Sequence, residues 1–193
     1  NYERELDWLL LQYPMHDAQH RFFKDLNHFY LENSPMWEVD FDWSGFSWIS
    51  NDDCDQSVIA FRRFDEAKNE LIVVCNFVPV TREDYRIGVP YDGVYEEVFS
   101  SDRAEYGGSG ISNGTAIESD PEKPMHGLGQ SISLHLPGLS VIYLKFNPQK
   151  KKKKSPVPKA ASALPAKKPR KAPRAKAKAG AKPKTPAKPK RKA

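Results

Sequence analysis

Cysteine is scarce in this sequence, and long apolar runs are missing. Cys54 and Cys75 are the two cysteines, and they form no CxxC pair. That spacing excludes a zinc ribbon and a disulfide-rich scaffold. Two buried free thiols in a reducing cytosol are expected. No apolar run reaches the roughly 18 residues that a membrane span needs. No N-terminal stretch reads as a secretory leader, so a cytoplasmic protein with no membrane partner is expected. Acid is missing from one part of the chain. Residues 147–193 hold 19 Lys and Arg and no Asp or Glu. Residues 1–146 hold all 25 acids against 11 Lys and Arg, a net of −14. The overall +5 therefore describes neither part. The pattern is an acidic body joined to a basic arm. The chain opens with Asn1 directly into an apolar helical pattern, as though it continued a longer fold.

Residues 2–12 place Leu6, Leu9 and Leu10 on one helical face, with Trp8 nearby. Tyr13-Pro14 ends that helix, because a residue before proline avoids the helical region. Residues 17–32 predict a second helix, with Asp17 as N-cap and Phe22, Phe23, Leu26, Phe29 and Tyr30 at three- and four-residue steps. Asn33-Ser34-Pro35 closes it. Two such helices cannot bury both stripes on each other and call for a further partner. Residues 36–50 are aromatic and irregular. Beyond them the pattern turns to β. Ser57–Arg63 and Glu70–Val78 are β-branched runs joined by a polar turn, a hairpin signal. Tyr85–Val89 and Val94–Ser100 are shorter candidates. Residues 105–127 read as a long loop. Ser131–Leu136 and Ser140–Phe146, joined through Pro137-Gly138, predict a second hairpin. The fold class expected is mainly β: an antiparallel sandwich of roughly 90–100 residues, preceded by two helices and followed by a tail. The tail has no apolar stripe to offset ordering entropy and is expected to be disordered.

An ordered series of short motifs resembles one family. It runs through Lys24-Asp25-Leu26-Asn27, Glu38-Val39-Asp40-Phe41-Asp42, Gly45-Phe46-x-Trp48-Ile49, Ser57-Val58-Ile59-Ala60-Phe61-x-Arg63 and Val74-Cys75-Asn76-Phe77-x-Pro79-Val80. It continues through Asp84-Tyr85-Arg86-Ile87-Gly88, Tyr106-Gly107-Gly108-Ser109, His126-Gly127, Ser131-Ile132-Ser133-Leu134 and Leu136-Pro137. Residues 1–146 thereby resemble the C-terminal region of bacterial-type 1,4-α-glucan (glycogen) branching enzymes, in the α-amylase superfamily. The resemblance implies an N-terminal β module, a (β/α)8 catalytic barrel and a C-terminal β-sandwich. On that map residues 1–34 are the last helices of a truncated barrel, 35–50 an aromatic connector, 51–146 the sandwich and 147–193 the basic tail. The implied reaction cuts an α-1,4-glucan and rejoins it through an α-1,6 bond with retention. Retention needs two carboxyls about 5 Å apart, at the C-terminal ends of barrel strands. No acid of this chain matches those motifs. No catalytic, cofactor or metal residue is therefore assigned, and the expected partners are the missing barrel of the same polypeptide and, through it, α-glucan.

Several local features admit sharper readings. Trp37, Phe41, Trp43, Phe46 and Trp48 crowd one short stretch; Trp43 and Trp48 are the candidate glucan contacts, and interdomain core is the favoured alternative. Asp40 and Asp42 lie two apart, about 6–7 Å on an extended chain, enough for a cation or an acid pair. Turn and capping hydrogen bonds are the commoner use. Asp52, Asp53 and Asp55 superficially resemble a calcium loop without its glycine and glutamate, so that reading is rejected. His16 and His20 mimic a metalloprotease pair, but Asp17 stands where glutamate belongs and no third ligand is evident. His126 and His135 read as structural or exposed. Gly107-Gly108-Ser109-Gly110 reads as a flexible surface loop of the sandwich, with no phosphate-loop context.

The basic arm, rich in K-P, K-A and P-A-K steps, resembles a linker-histone tail. Its candidate nucleic-acid contacts are Lys150, Lys151, Lys152, Lys153, Lys154, Lys167, Lys168 and Arg170. An acidic surface, including that of its own body, is the competing partner, and a solubilising extension without partner is the third reading.

Overall fold

The computed structural model describes residue 3 and residues 5–150. The chain divides into two units, Asn1–Lys154 and Ser155–Ala193. The tail from residue 151, with every nucleic-acid candidate except Lys150, lies outside the described residues.

Among the described residues, one α-helix, α1 (Pro14–Glu32), precedes eight strands: β1 (Phe46–Asp53), β2 (Val58–Phe64), β3 (Glu70–Asn76), β4 (Arg82–Val89), β5 (Val94–Ser100), β6 (Ile117–Glu118), β7 (Gln130–Leu136) and β8 (Ser140–Asn147). They form a six-stranded sheet, in the order β1-β2-β3-β8-β5-β6, and a two-stranded sheet of β4 and β7. Every pairing is antiparallel. The main core lies between the sheets. Val58, Ala60, Ile72, Val74, Ile142 and Leu144 meet Ile87, Val89, Ile132, Leu134 and Leu136 there. The other face of the large sheet is covered as well. Leu71 and Phe99 form a second cluster with Phe22, Leu26 and Phe29 of α1 and with Tyr143. The Phe29 and Phe99 rings stack at 5.0 Å. Covering on both faces explains why β3 reads Leu-Ile-Val-Val-Cys without alternation.

The mainly-β expectation holds, with particular corrections. The predicted helix over 2–12 is a short 3-10 turn, Trp8–Gln12, capped by Asp7. Its apolar side chains have little to pack on, so propensity alone does not hold a longer helix. The next helix begins at Pro14, not Asp17, because proline suits the first helical position. Asp17 sits in the first turn and pairs with Arg21 at 2.6 Å. Asn33 ends α1 and donates from Nδ2 to the Phe29 carbonyl at 2.6 Å.

The aromatic stretch 36–50 conceals strand β1, whose pairing with β2 is interrupted by irregularities around Ser50. Those irregularities blur the alternation by which a strand is read. The β2–β3 hairpin is present as expected. The second predicted hairpin is not. β7 pairs with β4, whereas β8 pairs with β3 and β5, so Pro137-Gly138 carries the chain from one sheet to the other. This crossing is held by Asn76, whose Nδ2 donates to the Pro137 carbonyl at 2.8 Å. Gly138 packs so closely on the Pro79 backbone that a Cβ there would lie 2.8 Å from it. Cys75 is buried as expected, and burial pushes its thiol up to about 11. Cys54 is exposed, because it sits in the turn between β1 and β2 rather than on an inward face.

Candidate functional site

The stretch 37–48 approaches the outer face of the large sheet, the face that α1 also covers. Arg63 on β2 anchors it, donating to the carbonyls of Pro35 at 3.2 Å and Met36 at 3.3 Å and pairing with Asp40 at 2.7 Å. Asp42 then accepts from the Ser44 backbone N–H at 2.7 Å and caps a 3-10 turn, Trp43–Gly45. Those hydrogen bonds from Ser44 hold the Asp42 carboxyl below its ordinary range. Asp40 and Asp42 therefore do the capping and pairing work expected of ordinary turn residues, not acid-pair chemistry. Gly45 is required because a Cβ would collide with Val39.

This scaffold leaves the aromatics outward. Phe41 is 103% exposed, Trp43 86% and Trp48 49%. Phe46 and Trp48 meet edge-on at 4.8 Å, and Phe46 lies 5.3 Å from Phe61. With Asp40, Asp42 and Arg63 they line an open hollow of about 520 Å³. Neither Trp43 nor Trp48 lies in a core of the described residues, and the interdomain-core and glucan readings alike leave the rings outward there. They share the hollow.

The other candidates lie elsewhere. His16 and His20 are exposed on α1, and no group of three His, Cys, Asp or Glu that could hold a metal occurs among the described residues. Asp53 accepts from the Tyr85 hydroxyl at 2.6 Å and from Gln56, so it is committed to the fold. His135 is exposed, and its backbone N–H donates to Asn113. The Gly107–Gly110 loop is tied to the fold through one side chain. Asp102 accepts from the Ser109 N–H at 3.0 Å, the Ser109 hydroxyl at 2.5 Å and the Ile111 N–H at 3.2 Å. A lone aspartate seven residues upstream of a serine is too weak a signal to find in sequence. Lys150 pairs with Glu96 at 3.0 Å and donates to the Thr115 carbonyl at 2.7 Å. No helix among the described residues is long and apolar enough to cross a membrane.

These features define an all-β sandwich domain with a helix on one face and an exposed aromatic edge. Residues 48–147 match the family described as the alpha amylase C-terminal all-beta domain, and the chain belongs to that family. Similar proteins include the 1,4-alpha-glucan branching enzyme GlgB of Aquifex aeolicus, 48% identical over 146 residues, which are 75% of this chain and 23% of that protein. The GlgB enzymes of Halothermothrix orenii and Oceanobacillus iheyensis are 43% and 46% identical, over 75% and 71% of this chain and 23% and 22% of their own lengths. The chain thus spans under a quarter of the curated relatives it matches.

Proposed function

We propose that this chain is the C-terminal part of a 1,4-α-glucan branching enzyme, a transferase of glycogen biosynthesis, and that it supports a catalytic barrel rather than performing the reaction. The observation that carries this reading is the 48% identity to a branching enzyme over 146 residues, three quarters of this chain. Residues 1–34 serve as the last barrel helices, 35–50 as the connector and 51–146 as the sandwich. Leu6, Leu9, Met15 and Leu31, all more than two-thirds exposed, form the surface that the barrel covers. A cytoplasmic location fits two free thiols. The test is a chimera of the Aquifex aeolicus enzyme carrying residues 1–146 of this chain in place of its matching segment. Branching of amylose, read as a falling blue iodine stain, is expected. A folded, inactive chimera contradicts the reading. The chain alone is expected to leave the stain unchanged.

The exposure of Trp43 and Trp48 favours a second element, direct contact with glucan. Maltoheptaose then changes tryptophan fluorescence in the chain, and less so in Trp43→Ala. No change assigns these rings to the barrel interface. The segregation of 19 positive charges into residues 147–193 favours a separate reading for the tail, non-specific nucleic-acid binding. Engagement of about ten charges gives a slope of log K on log salt near −9. A gel shift with duplex DNA at two salt concentrations, with and without the tail, tests it.

A further inference from the structure

A second hollow lies away from the aromatic edge, between the end of β1, strand β4 and the turn before β7. It encloses about 590 Å³ and is lined mainly by polar side chains. One wall is a two-residue turn, His126-Gly127, in which Met125 and Leu128 exchange backbone hydrogen bonds at 3.2 and 2.9 Å. Both turn residues have positive φ, 52° and 71°, the geometry that favours Asn-Gly. Histidine in the first place costs backbone strain that asparagine largely avoids.

The ring offsets that cost by tying the turn to β4. Among the described residues β4 pairs with β7 alone, so it is an edge strand. The turn presses on it so closely that a Cβ on Gly88 would collide with the Met125 carbonyl. The Gly88 N–H then donates to His126 Nδ1 at 3.1 Å. A ring that accepts at Nδ1 carries its one proton on Nε2 and is neutral. Burial keeps the imidazole below its ordinary value, against the pull of Asp52 and Asp53, so this neutral form prevails near pH 7.

A second proton has one place to go, Nδ1, and there it takes the lone pair that holds Gly88. The charged ring is a donor at both nitrogens, so the Gly88 N–H would face another N–H. The surrounding charges decide where the ring then turns. The end of β1 contributes Asp52 and Asp53, and β4 contributes Arg82, Glu83, Asp84 and Arg86. On the loop before the turn, Glu122 is exposed and Lys123 pairs with Asp120 at 3.3 Å. Arg82 donates to the Gln56 carbonyl at 3.1 Å, and Arg86 is engaged with Ser131 and Asp120. Asp84 accepts from Ser133 at 3.5 Å. The carboxylates whose field reaches the ring are Asp52 and Asp53. Asp53 is committed to the Tyr85 hydroxyl and to Gln56. Asp52 accepts one long bond, from Ser50 at 3.5 Å, and keeps room for a cation.

We infer that His126 is a pH-operated latch: the neutral ring clamps the turn onto β4 through the Gly88 N–H, and the protonated ring releases that amide and turns to Asp52. The step takes one proton from solvent and trades one hydrogen bond for one ion pair. Those two interactions are similar in size, so the ring's charge selects between the positions. The sign follows from the direction of the histidine's shift. The latch is closed above the ring's folded value and is lost as pH falls through it. Release frees the turn from β4 and opens that wall of the hollow. The latch is independent of the branching-enzyme reading and stands or falls without it.

The experiment is a pH titration of the ¹⁵N-labelled full chain from about pH 7.5 to about pH 4.5, followed on the Gly88 amide and on the ring nitrogens of His126. At the upper end Nδ1 is expected without a proton and Nε2 with one. The Gly88 amide and Nδ1 should then move together, with one midpoint below 6.5. In His126→Asn, suited to the turn and unable to charge, the Gly88 transition disappears. In Asp52→Asn the ring loses about threefold in proton affinity, because its charged position lacks a partner. Unperturbed amides elsewhere show that a variant folds, and the wild-type titration decides alone if one does not. A Gly88 amide that stays still through the ring's midpoint, or moves only with carboxylates near about pH 4, overturns the latch. So does a proton on Nδ1 at the upper end, or the same Gly88 transition in His126→Asn. An unchanged midpoint in Asp52→Asn overturns the turn to Asp52.

Discussion

Leu144 and Leu9 belong to the same ordered unit, yet Leu144 is fully buried and Leu9 is 68% exposed. The contrast extends to the regions around them. Between the sheets, Ile72, Ile87, Ile132, Leu134, Leu136 and Ile142 are at most 1% exposed. On the N-terminal segment, Leu6, Trp8, Met15 and Leu31 remain outside while only one stripe of α1 is satisfied. The sandwich closes its own core. The helical segment packs Phe22, Leu26 and Phe29 on the sandwich and leaves Leu6, Leu9, Met15 and Leu31 exposed. A region's apolar content therefore does not tell whether it is self-sufficient; the side on which that content lies does.

Core truncation gives the largest expected effect. Leu144→Ala should cost about 3–5 kcal/mol, because a tightly packed site collapses only in part. Urea unfolding followed by circular dichroism measures it. A loss under about 1 kcal/mol shows that the two-sheet core is not the source of stability.

Asp65 joins the two regions. Its carboxylate accepts from Ser34 Oγ at 2.6 Å, on the segment leaving α1, and from the Asn69 N–H and Nδ2, each at 2.7 Å, across the β2–β3 turn. Burial opposes its charge, but these hydrogen bonds prevail and hold the carboxyl below its ordinary value of 3.8. Asp65→Ala should cost about 2–3 kcal/mol by leaving buried donors without an acceptor. A depressed carboxyl contributes stability that is present above its unfolded value and lost as pH falls through the folded one. The wild-type chain should thus lose part of its stability below pH 3.8, and the variant less of it.

His126 gives a smaller effect at milder pH. Its folded value lies below the ordinary 6.5, chiefly through burial. Above 6.5 both states are neutral and nothing is lost. Below it the unfolded chain takes up the proton first, so stability falls as pH decreases. Melting temperatures between pH 7 and 5 should fall more for wild type than for His126→Asn. Equal slopes place the histidine in solvent.

The smallest effect belongs to the exposed leucines. Leu9→Ser and Leu31→Ser should change stability by within about 0.5 kcal/mol, as surface substitutions do. A much larger loss places them in a core.

The β2–β3 hairpin was legible because β-branched runs flank a polar turn, and the end of α1 because Asn33-Ser34-Pro35 stops a helix. Strand β1 was hidden by its broken register with β2 around Ser50. The partner exchange at Pro137-Gly138 was not legible, since a turn between two strands looks the same whether they pair or part. Of the sites, the aromatic crowd was visible at residues 37–48, but its exposure depends on Arg63 and Asp40, far apart in sequence. The polar hollow joins residues from β1, β4 and the His126 turn, and no local pattern announces it.

Hydrophobic dye binding compares the two regions most directly. The full chain should bind the dye at pH 7, while a variant with serine at Leu9, Leu31 and Met15 binds much less and melts at nearly the same temperature. A wild-type chain that binds no dye and runs as a clean monomer would contradict the account, because its N-terminal apolar face would then need no larger fold to cover it.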